Sequence, residues 1–277
     1  MMSKLERRAS AALMTVVLGM LLVVPMTACQ DHDPLSPVPP RRIRPTVSKT
    51  LSDGVAVASP VDINTSGEVV GYLYAGVGYH AAISFHGVAY DLGTTDNLET
   101  TSSYPAAINN RGQVVGYEYP GGPSNYGFLW TPDQPNGTNG RMQRLPEAAD
   151  GPATAVDIND AGQIVGIGGT GGIVLWSGPD LVPLPVPING GGIYWCTINQ
   201  FGQIAGTTSD ENGVTHAFLW TPASPNGTTG SYLLLTAPAS TGGNALALND
   251  FGQLVVATPD GDTWLWTPAS PNAQAGT

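Results

Sequence analysis

Beyond residue 50 the chain is written in short apolar runs of four to six residues, each closed by Gly, Asn, Asp or Pro. Between 153 and 184 the runs are 153–158, 163–167, 172–176 and 181–184, rich in Val, Ile and Trp. Runs of this length and composition predict β-strands. No window past residue 50 places apolar residues at helical spacing, so helix is a poor reading. The pattern predicts an all-β chain built from four-stranded units.

The units announce themselves by a phrase that returns five times: Ile63-Asn64…Gly67-Glu68, Ile108-Asn109…Gly112-Gln113, Ile158-Asn159…Gly162-Gln163, Ile198-Asn199…Gly202-Gln203 and Leu248-Asn249…Gly252-Gln253. The asparagines are 45, 50, 40 and 50 residues apart, a period that signals stacked or radially arranged units. Asn can bond backbone groups two residues on and so start a tight turn. Gly three positions later can take the left-handed conformation of a bulged hairpin at no steric cost. Asn64, Gly67, Asn109, Gly112, Asn159, Gly162, Asn199, Gly202, Asn249 and Gly252 are therefore read as structural turns joining the first strand of each unit to the second.

The third run ends in Leu-Trp at Leu129-Trp130, Leu175-Trp176, Leu219-Trp220 and Leu265-Trp266, with Phe85 standing in the first unit. One large aromatic per unit predicts a wedge of core between neighbouring sheets. Long polar loops follow Trp130, Trp220 and Trp266, each with Pro and Asn at turn positions. Asn136 and Asn226 also fit the Asn-x-Thr glycosylation pattern, here an incidental match given the export signal.

That signal occupies residues 1–28. Lys4, Arg7 and Arg8 precede an apolar stretch of 12 residues from Leu13 to Val24, too short for an ordinary membrane span. Met26-Thr27-Ala28-Cys29 resembles a bacterial lipobox. The resemblance implies lipidation of Cys29, cleavage before it, and anchoring through several acyl chains. Cys196 is then left without a disulfide partner; among Tyr194, Trp195 and apolar neighbours it reads as a buried, inert thiol. Residues 29–45 form a lipidated cysteine and Pro-rich tether, with five prolines between 30 and 45, followed by the repeat body at 46–277. Gln30 after the cysteine favours the outer membrane or cell surface.

After position 52 there are 18 acidic residues and three basic ones, Arg111, Arg141 and Arg144. Phosphate binding needs clustered Lys and Arg, so nucleic acid is excluded as a partner.

The repeats resemble the HAF family of probable extracellular repeats. The family phrase stands here as Ala155-Val156-Asp157-Ile158-Asn159…Gly162-Gln163-Ile164-Val165-Gly166, as His216-Ala217-Phe218-Leu219-Trp220 and as Asp91-Leu92-Gly93. The resemblance implies export and a propeller-like fold and no catalytic residue. Four-stranded units of this period are themselves the mark of a β-propeller. Stepping back 18 residues from Asn64 reaches Thr46, where a preceding unit would place its fourth strand. The expectation is a five-bladed β-propeller whose last blade is completed by residues 46–51, removing exposed sheet edges. The spacing also fits a chain that once had further blades.

Chemistry is sparse. His80, His86 and His216 show no metal-ligand spacing, and no Gly-x-Ser-x-Gly elbow occurs. Asp62 and Asp157 take a first-strand position that is Ala107, Thr197 and Ala247 elsewhere, too irregular for a cation site. No catalytic residue, metal or cofactor is expected. Two function classes remain: a monomeric binding or structural module at the cell surface, with a glycan or protein ligand, or an exported propeller enzyme acting on carbohydrate or peptide. The ligand itself is not written in the sequence.

Overall fold

In a computed structural model of the chain, the described residues are 57–96, 100–185, 187, 192–235 and 242–277. They form five antiparallel sheets and no helix. The first blade is β1 (Val57–Ile63), β2 (Val69–Tyr74), β3 (Tyr79–Phe85) and β4 (Val88–Gly93). The second is β5 (Ser102–Ile108), β6 (Val114–Tyr119), β7 (Tyr126–Pro132) and β8 (Gly140–Arg144). The third is β9 (Thr154–Ile158), β10 (Gln163–Ile167), β11 (Ile173–Ser177) and β12 (Asp180–Leu184). The fourth is β13 (Ile193–Ile198), β14 (Ile204–Ser209), β15 (Thr215–Pro222) and β16 (Gly230–Leu235). The fifth has β17 (Asn244–Leu248), β18 (Leu254–Ala257) and β19 (Thr263–Trp266). Strand order within every blade is the chain order, so each is a meander.

The inner pair of strands is bulged in every blade. In blades two to four a glycine of the second strand makes room for it. A Cβ on Gly206 would lie 2.4 Å from the Trp195 carbonyl oxygen and 2.5 Å from the Phe218 ring. Neither can give way cheaply, because one is backbone and the other is packed core.

Four apolar cores lie between successive blades. Val70, Ala81 and Ile83 of the first blade meet Val114, Phe128 and Trp130 of the second. Val115 of the second meets Ile164, Val174 and Trp176 of the third. Val165 and Leu175 of the third meet Ile204, Phe218 and Trp220 of the fourth. Ala205 and Leu219 of the fourth meet Leu254, Val256 and Trp266 of the fifth. In each case the later blade supplies the tryptophan, so the aromatic wedges are core.

One expectation is corrected. Trp130, Trp176, Trp220 and Trp266 pair across the sheet with Val114, Ile164, Ile204 and Leu254. The matching partner of Val69 in the first blade is Ser84, not Phe85. Phe85 instead sits beside His86, ring centroids 4.0 Å apart, at the turn into β4. The first blade therefore carries no wedge on the face turned away from the second.

The far face of the fifth blade is bare among the described residues. Leu265 pairs with Val255 and Val255 with Ala247, the row matching Leu219, Ala205 and Thr197 in the fourth blade. Ala205 and Leu219 are fully buried, whereas Leu265 is 53% exposed. A fourth strand of the fifth blade is begun by the chain's last residues. Thr267 and Thr277 exchange backbone bonds of 2.7 and 2.9 Å, and Pro268 bridges Gly276. The expected closing segment, residues 46–51, lies outside the described residues, as do the signal, Cys29 and the tether.

Candidate binding face

The two ends of the sheets differ in chemistry. At one end lie the Asn-x-x-Gly turns. Each asparagine Oδ1 accepts from backbone nitrogens downstream, as in Ser66 N and Glu68 N on Asn64 at 3.0 Å each. Each glycine N–H closes the turn on the asparagine carbonyl at 3.0 Å, and the five glycines have φ between 78° and 88°. The side-chain amide donates to the Glu or Gln four residues on, as Asn64 Nδ2 does to Glu68 Oε2 at 2.6 Å, and in the first four blades it also reaches the next blade. Asn64 Nδ2 donates to the Asn109 carbonyl, Asn109 to Asn159 and Asn159 to Asn199, each at 3.1 Å, and Asn199 to Asn249 at 3.0 Å. A second relay runs beside it, through the backbone nitrogens of Thr65, Asn110, Asp160 and Gln200 to the side chains of Asn110, Asp160, Gln200 and Asp250, at 2.8–2.9 Å.

Asp62 and Asp157 belong to this hub. Asp62 accepts from Ile108 N at 2.9 Å, and Asp157 accepts from Ile198 N at 2.9 Å and from Thr197 Oγ1 at 2.5 Å. Each ties its blade to the inner strand of the next. Burial pushes the Asp157 carboxyl up to about 6, helped by the charge of Asp62 and opposed by those hydrogen bonds. A folded pKa above the unfolded value, near 4, means that ionising the group costs stability. Stability should therefore be highest below pH 4 as far as Asp157 is concerned and fall as pH rises to about 6. In Asp157→Asn that fall should disappear from thermal unfolding curves recorded across the window; an unaltered profile would assign the dependence to other groups.

The polar loops complete the hub. Asn136, Asn226 and Asn272 all have positive φ and lie over the turns of their own blades, donating from N to the carbonyls of Arg111, Phe201 and Phe251. Asn226 Oδ1 also accepts from Asn159 Nδ2 at 3.0 Å, and its carbonyl accepts from Gln163 Nε2 at 3.0 Å.

The histidines carry little chemistry. His80 Nδ1 pairs with Asp91 at 2.9 Å, and its Nε2 is enclosed and without a partner among the described residues. His216 Nε2 lies 3.5 Å from Asp210. Cys196 is buried and free, its thiol pushed up by burial. Among the described residues no three His, Cys, Asp or Glu side chains group as metal ligands.

The opposite end, where the second strands finish and the third begin, is aromatic. Eight of the ten tyrosines fall between residues 72 and 126, which confines them to the first two blades. Tyr72 and Tyr79 are 5.4 Å apart, Tyr72 and Tyr104 5.6 Å, and Tyr79 and Tyr104 6.1 Å. Tyr74 extends the cluster from Tyr79 at 5.6 Å, and Tyr117 stacks on Tyr104 at 5.4 Å. Tyr72, Tyr104 and Tyr117 form the packed base, and Tyr74, Tyr79 and Tyr119 are exposed. Burial raises the Tyr117 pKa, with Tyr104 and Tyr72 adding to it. Glu118 braces the platform from within: fully buried, it accepts from Thr95 N at 2.6 Å and Thr95 Oγ1 at 2.5 Å. Reading by repeats missed this face, although the chain spells it twice, as Gly71-Tyr72-Leu73-Tyr74 and Gly116-Tyr117-Glu118-Tyr119.

No protein-family model and no curated protein matches the chain. Solved structures do. Prolyl oligopeptidase B from Galerina marginata, bound to a 35mer hydrolysis and macrocyclization substrate, matches over 79% of this chain at 10% identity and a TM-score of 0.56. This chain spans about a third of that protein, 33% of its length. Looser similarities are to the β-propeller domain of the Trilobed protease from Pyrococcus furiosus, which has an open velcro topology (10% identity, 76% of this chain and 78% of that one, TM-score 0.39), and to a hypothetical protein from Leishmania major (15%, 81% and 89%, 0.35). At such identities likeness speaks of fold alone. The chain is a propeller-like array of antiparallel blades.

Proposed function

We propose that this chain is an exported, lipid-anchored binding module of the HAF-repeat kind, displayed at the outer membrane or cell surface. Its ligand-contact face is the tyrosine platform of the first two blades. The observation that carries this reading is the asymmetry of the aromatics. The wedge tryptophans Trp130, Trp176, Trp220 and Trp266 stand one in each blade from the second to the fifth and are spent on packing, whereas the tyrosines are concentrated in the first two blades and left partly open. Tyrosine offers a large rigid contact area with a polar tip at low entropic cost, the property that enriches it in binding surfaces. Repetition supplies the rigid frame, and one local departure from it supplies the site.

The anchor is Cys29, acylated and joined to the body by the Pro-rich tether. Residues 46–51 complete the fifth blade along the free edge of β19, continuing the strand that Gly276 and Thr277 begin. The experiment is a binding screen of the protein against glycans, cell-wall polymers and peptides, alongside a Tyr74→Leu/Tyr79→Leu variant. Ligands captured by the parent and lost by a folded variant support the platform; capture that survives the change places the site elsewhere. Localisation is tested separately. Cys29→Ser should release the protein from membranes after a high-salt wash, and retention of the variant would remove the lipid from the account.

A further inference from the structure

The loops over the Asn-x-x-Gly turns leave one place empty. At three of the four junctions between blades, the later blade brings a loop asparagine to the amide of the earlier one. Asn136 Oδ1 accepts from Asn64 Nδ2 at 3.4 Å, Asn226 Oδ1 from Asn159 Nδ2 at 3.0 Å, and Asn272 Oδ1 from Asn199 Nδ2 at 3.3 Å. The third blade has no such loop, since only Gly178 and Pro179 separate β11 from β12. The turn beneath records the vacancy. A Cβ on Gly112, Gly202 or Gly252 would meet the Cα of a loop asparagine at 3.0–3.2 Å, whereas one on Gly162 would meet only Gln113 Oε1, at 4.0 Å.

Polar groups that the missing loop would engage are left over at this junction. Gln163 and Gln203 donate from Nε2 to the carbonyl of a loop asparagine, at 3.0 and 3.3 Å. Gln113 uses its Oε1, accepting from Asn109 Nδ2 at 2.8 Å, and its Nε2 has no partner among the described residues. The same amide contact is 3.4 and 3.0 Å in the third and fourth blades, where a loop oxygen shares the Nδ2. The Ala161 carbonyl stands where those of Arg111, Phe201 and Phe251 accept from the loop backbone, and no such donor reaches it among the described residues. Gln113 lines a cleft of about 160 Å³ with Arg111, Thr131, Pro132 and Pro135. Arg111 forms no ion pair among the described residues, and its counterparts in the other turns are Ser66, Ala161, Phe201 and Phe251. The Asp160 carboxylate of the next turn is already taken, by Asn110 N and Nδ2 at 2.8 Å each.

We propose that this gap between the second and third blades binds a turn of another polypeptide bearing asparagine or aspartate. The backbone carbonyl of that residue accepts from Gln113 Nε2 and its side-chain oxygen from Asn109 Nδ2. The protein carries its own template for the ligand, because the Asn226 and Asn272 turns are held by those two contacts at the neighbouring junctions. Arg111 adds a charged donor, which favours aspartate over asparagine. A few convergent polar groups beside apolar walls, here Pro132 and Pro135, are the usual make-up of a binding cleft. The site lies at the opposite end of the blades from the tyrosines and does not depend on them.

The test titrates the full chain by calorimetry with a cyclic peptide, Ala-Ser-Pro-Asn-Gly-Thr, copied from residues 223–228, and with versions carrying Asp or Ala in place of Asn. The Asn peptide should bind, the Asp peptide several-fold more tightly and the Ala peptide roughly tenfold more weakly. Gln113→Glu installs the carboxylate that the first blade carries as Glu68 and removes the donor, so it should weaken the Asn peptide roughly tenfold. Should that variant fail to fold, Arg111→Gln at an exposed position should erase the preference for Asp over Asn. Tyr74→Leu/Tyr79→Leu should bind as the parent does. Equal binding of the Asn and Ala peptides, indifference to Gln113→Glu in a folded protein, or no binding by any of the three overturns the proposal. Binding lost in the tyrosine variant also overturns it, by moving the peptide to the platform. An empty broad screen removes the platform reading and leaves this one standing.

Discussion

Trp220→Ala should lose about 3–5 kcal/mol of folding stability, the loss expected when a buried aromatic is cut back to a methyl. The indole is 1% exposed and packs in the core where the third blade meets the fourth, among Val165, Leu175, Ile204 and Phe218. Those neighbours sit on two different sheets, each held by its own ladder, so they cannot collapse into the space left behind. Loss of transfer free energy therefore adds to the cost of a standing cavity. Trp264→Ala is the comparison. That side chain is half-buried and packs against the fourth–fifth core from its margin, so its removal should cost distinctly less. Chemical denaturation followed by circular dichroism gives both values. Equal losses would show that the wedge position has no special weight.

Glu68→Gln should do the reverse and stabilise the protein at neutral pH, by about 1–3 kcal/mol, the usual penalty of a buried polar atom without a partner. Four blades carry glutamine at this place and the first carries glutamate. Where the glutamine reaches the next loop its amide donates, Gln163 Nε2 to the Asn226 carbonyl at 3.0 Å and Gln203 Nε2 to that of Asn272 at 3.3 Å. Glu68 keeps the other half of the pattern, with Oε2 accepting from Asn64 Nδ2 at 2.6 Å. Its Oε1 is buried without a partner among the described residues, because a carboxylate has nothing to donate. Burial raises its pKa, opposed by the Asn64 hydrogen bond. The sign follows: the neutral acid suits the site, so stability is fullest below the unfolded value of 4.5 and is lost as pH rises through the folded one. The gain from Glu68→Gln should thus be large at pH 7 and small at pH 4. A gain of equal size at both would mean that ionisation is not the cost being relieved.

How much of this was legible beforehand follows from what repetition can encode. The strands of the third blade, its hairpin turn and the tryptophan wedges could be read because each is local or recurs at a fixed step. The first blade departs at Phe85, the aromatic nearest the wedge position in sequence. Register is fixed by pairing, and Val69 pairs with Ser84, a fact about two strands that one strand cannot show. The turn asparagines were legible through their Oδ1. The reach of their Nδ2 into the next blade was not, because that acceptor, unlike the Glu or Gln four residues on, lies at least 40 residues away. Asp62 and Asp157 looked irregular against the repeat, yet each satisfies a backbone N–H of the following blade. The tyrosines failed for the opposite reason. A search tuned to what five units share passes over what only two possess, and here the departure from the repeat is where a ligand has something to hold.

The amide relay has a sense of direction: the donor always belongs to the earlier blade and the acceptor to the later one. Such a grammar constrains how a gene of this kind can lengthen. A whole unit duplicated in tandem presents an acceptor to the blade before it and a donor to the blade after it, so both new junctions are correctly bonded at the moment of insertion. A duplication of only part of a unit separates a turn from its strands and leaves a buried amide without its acceptor. Growth by integers is thus open to this scaffold from the first generation, without compensating mutations, and growth by fractions is closed.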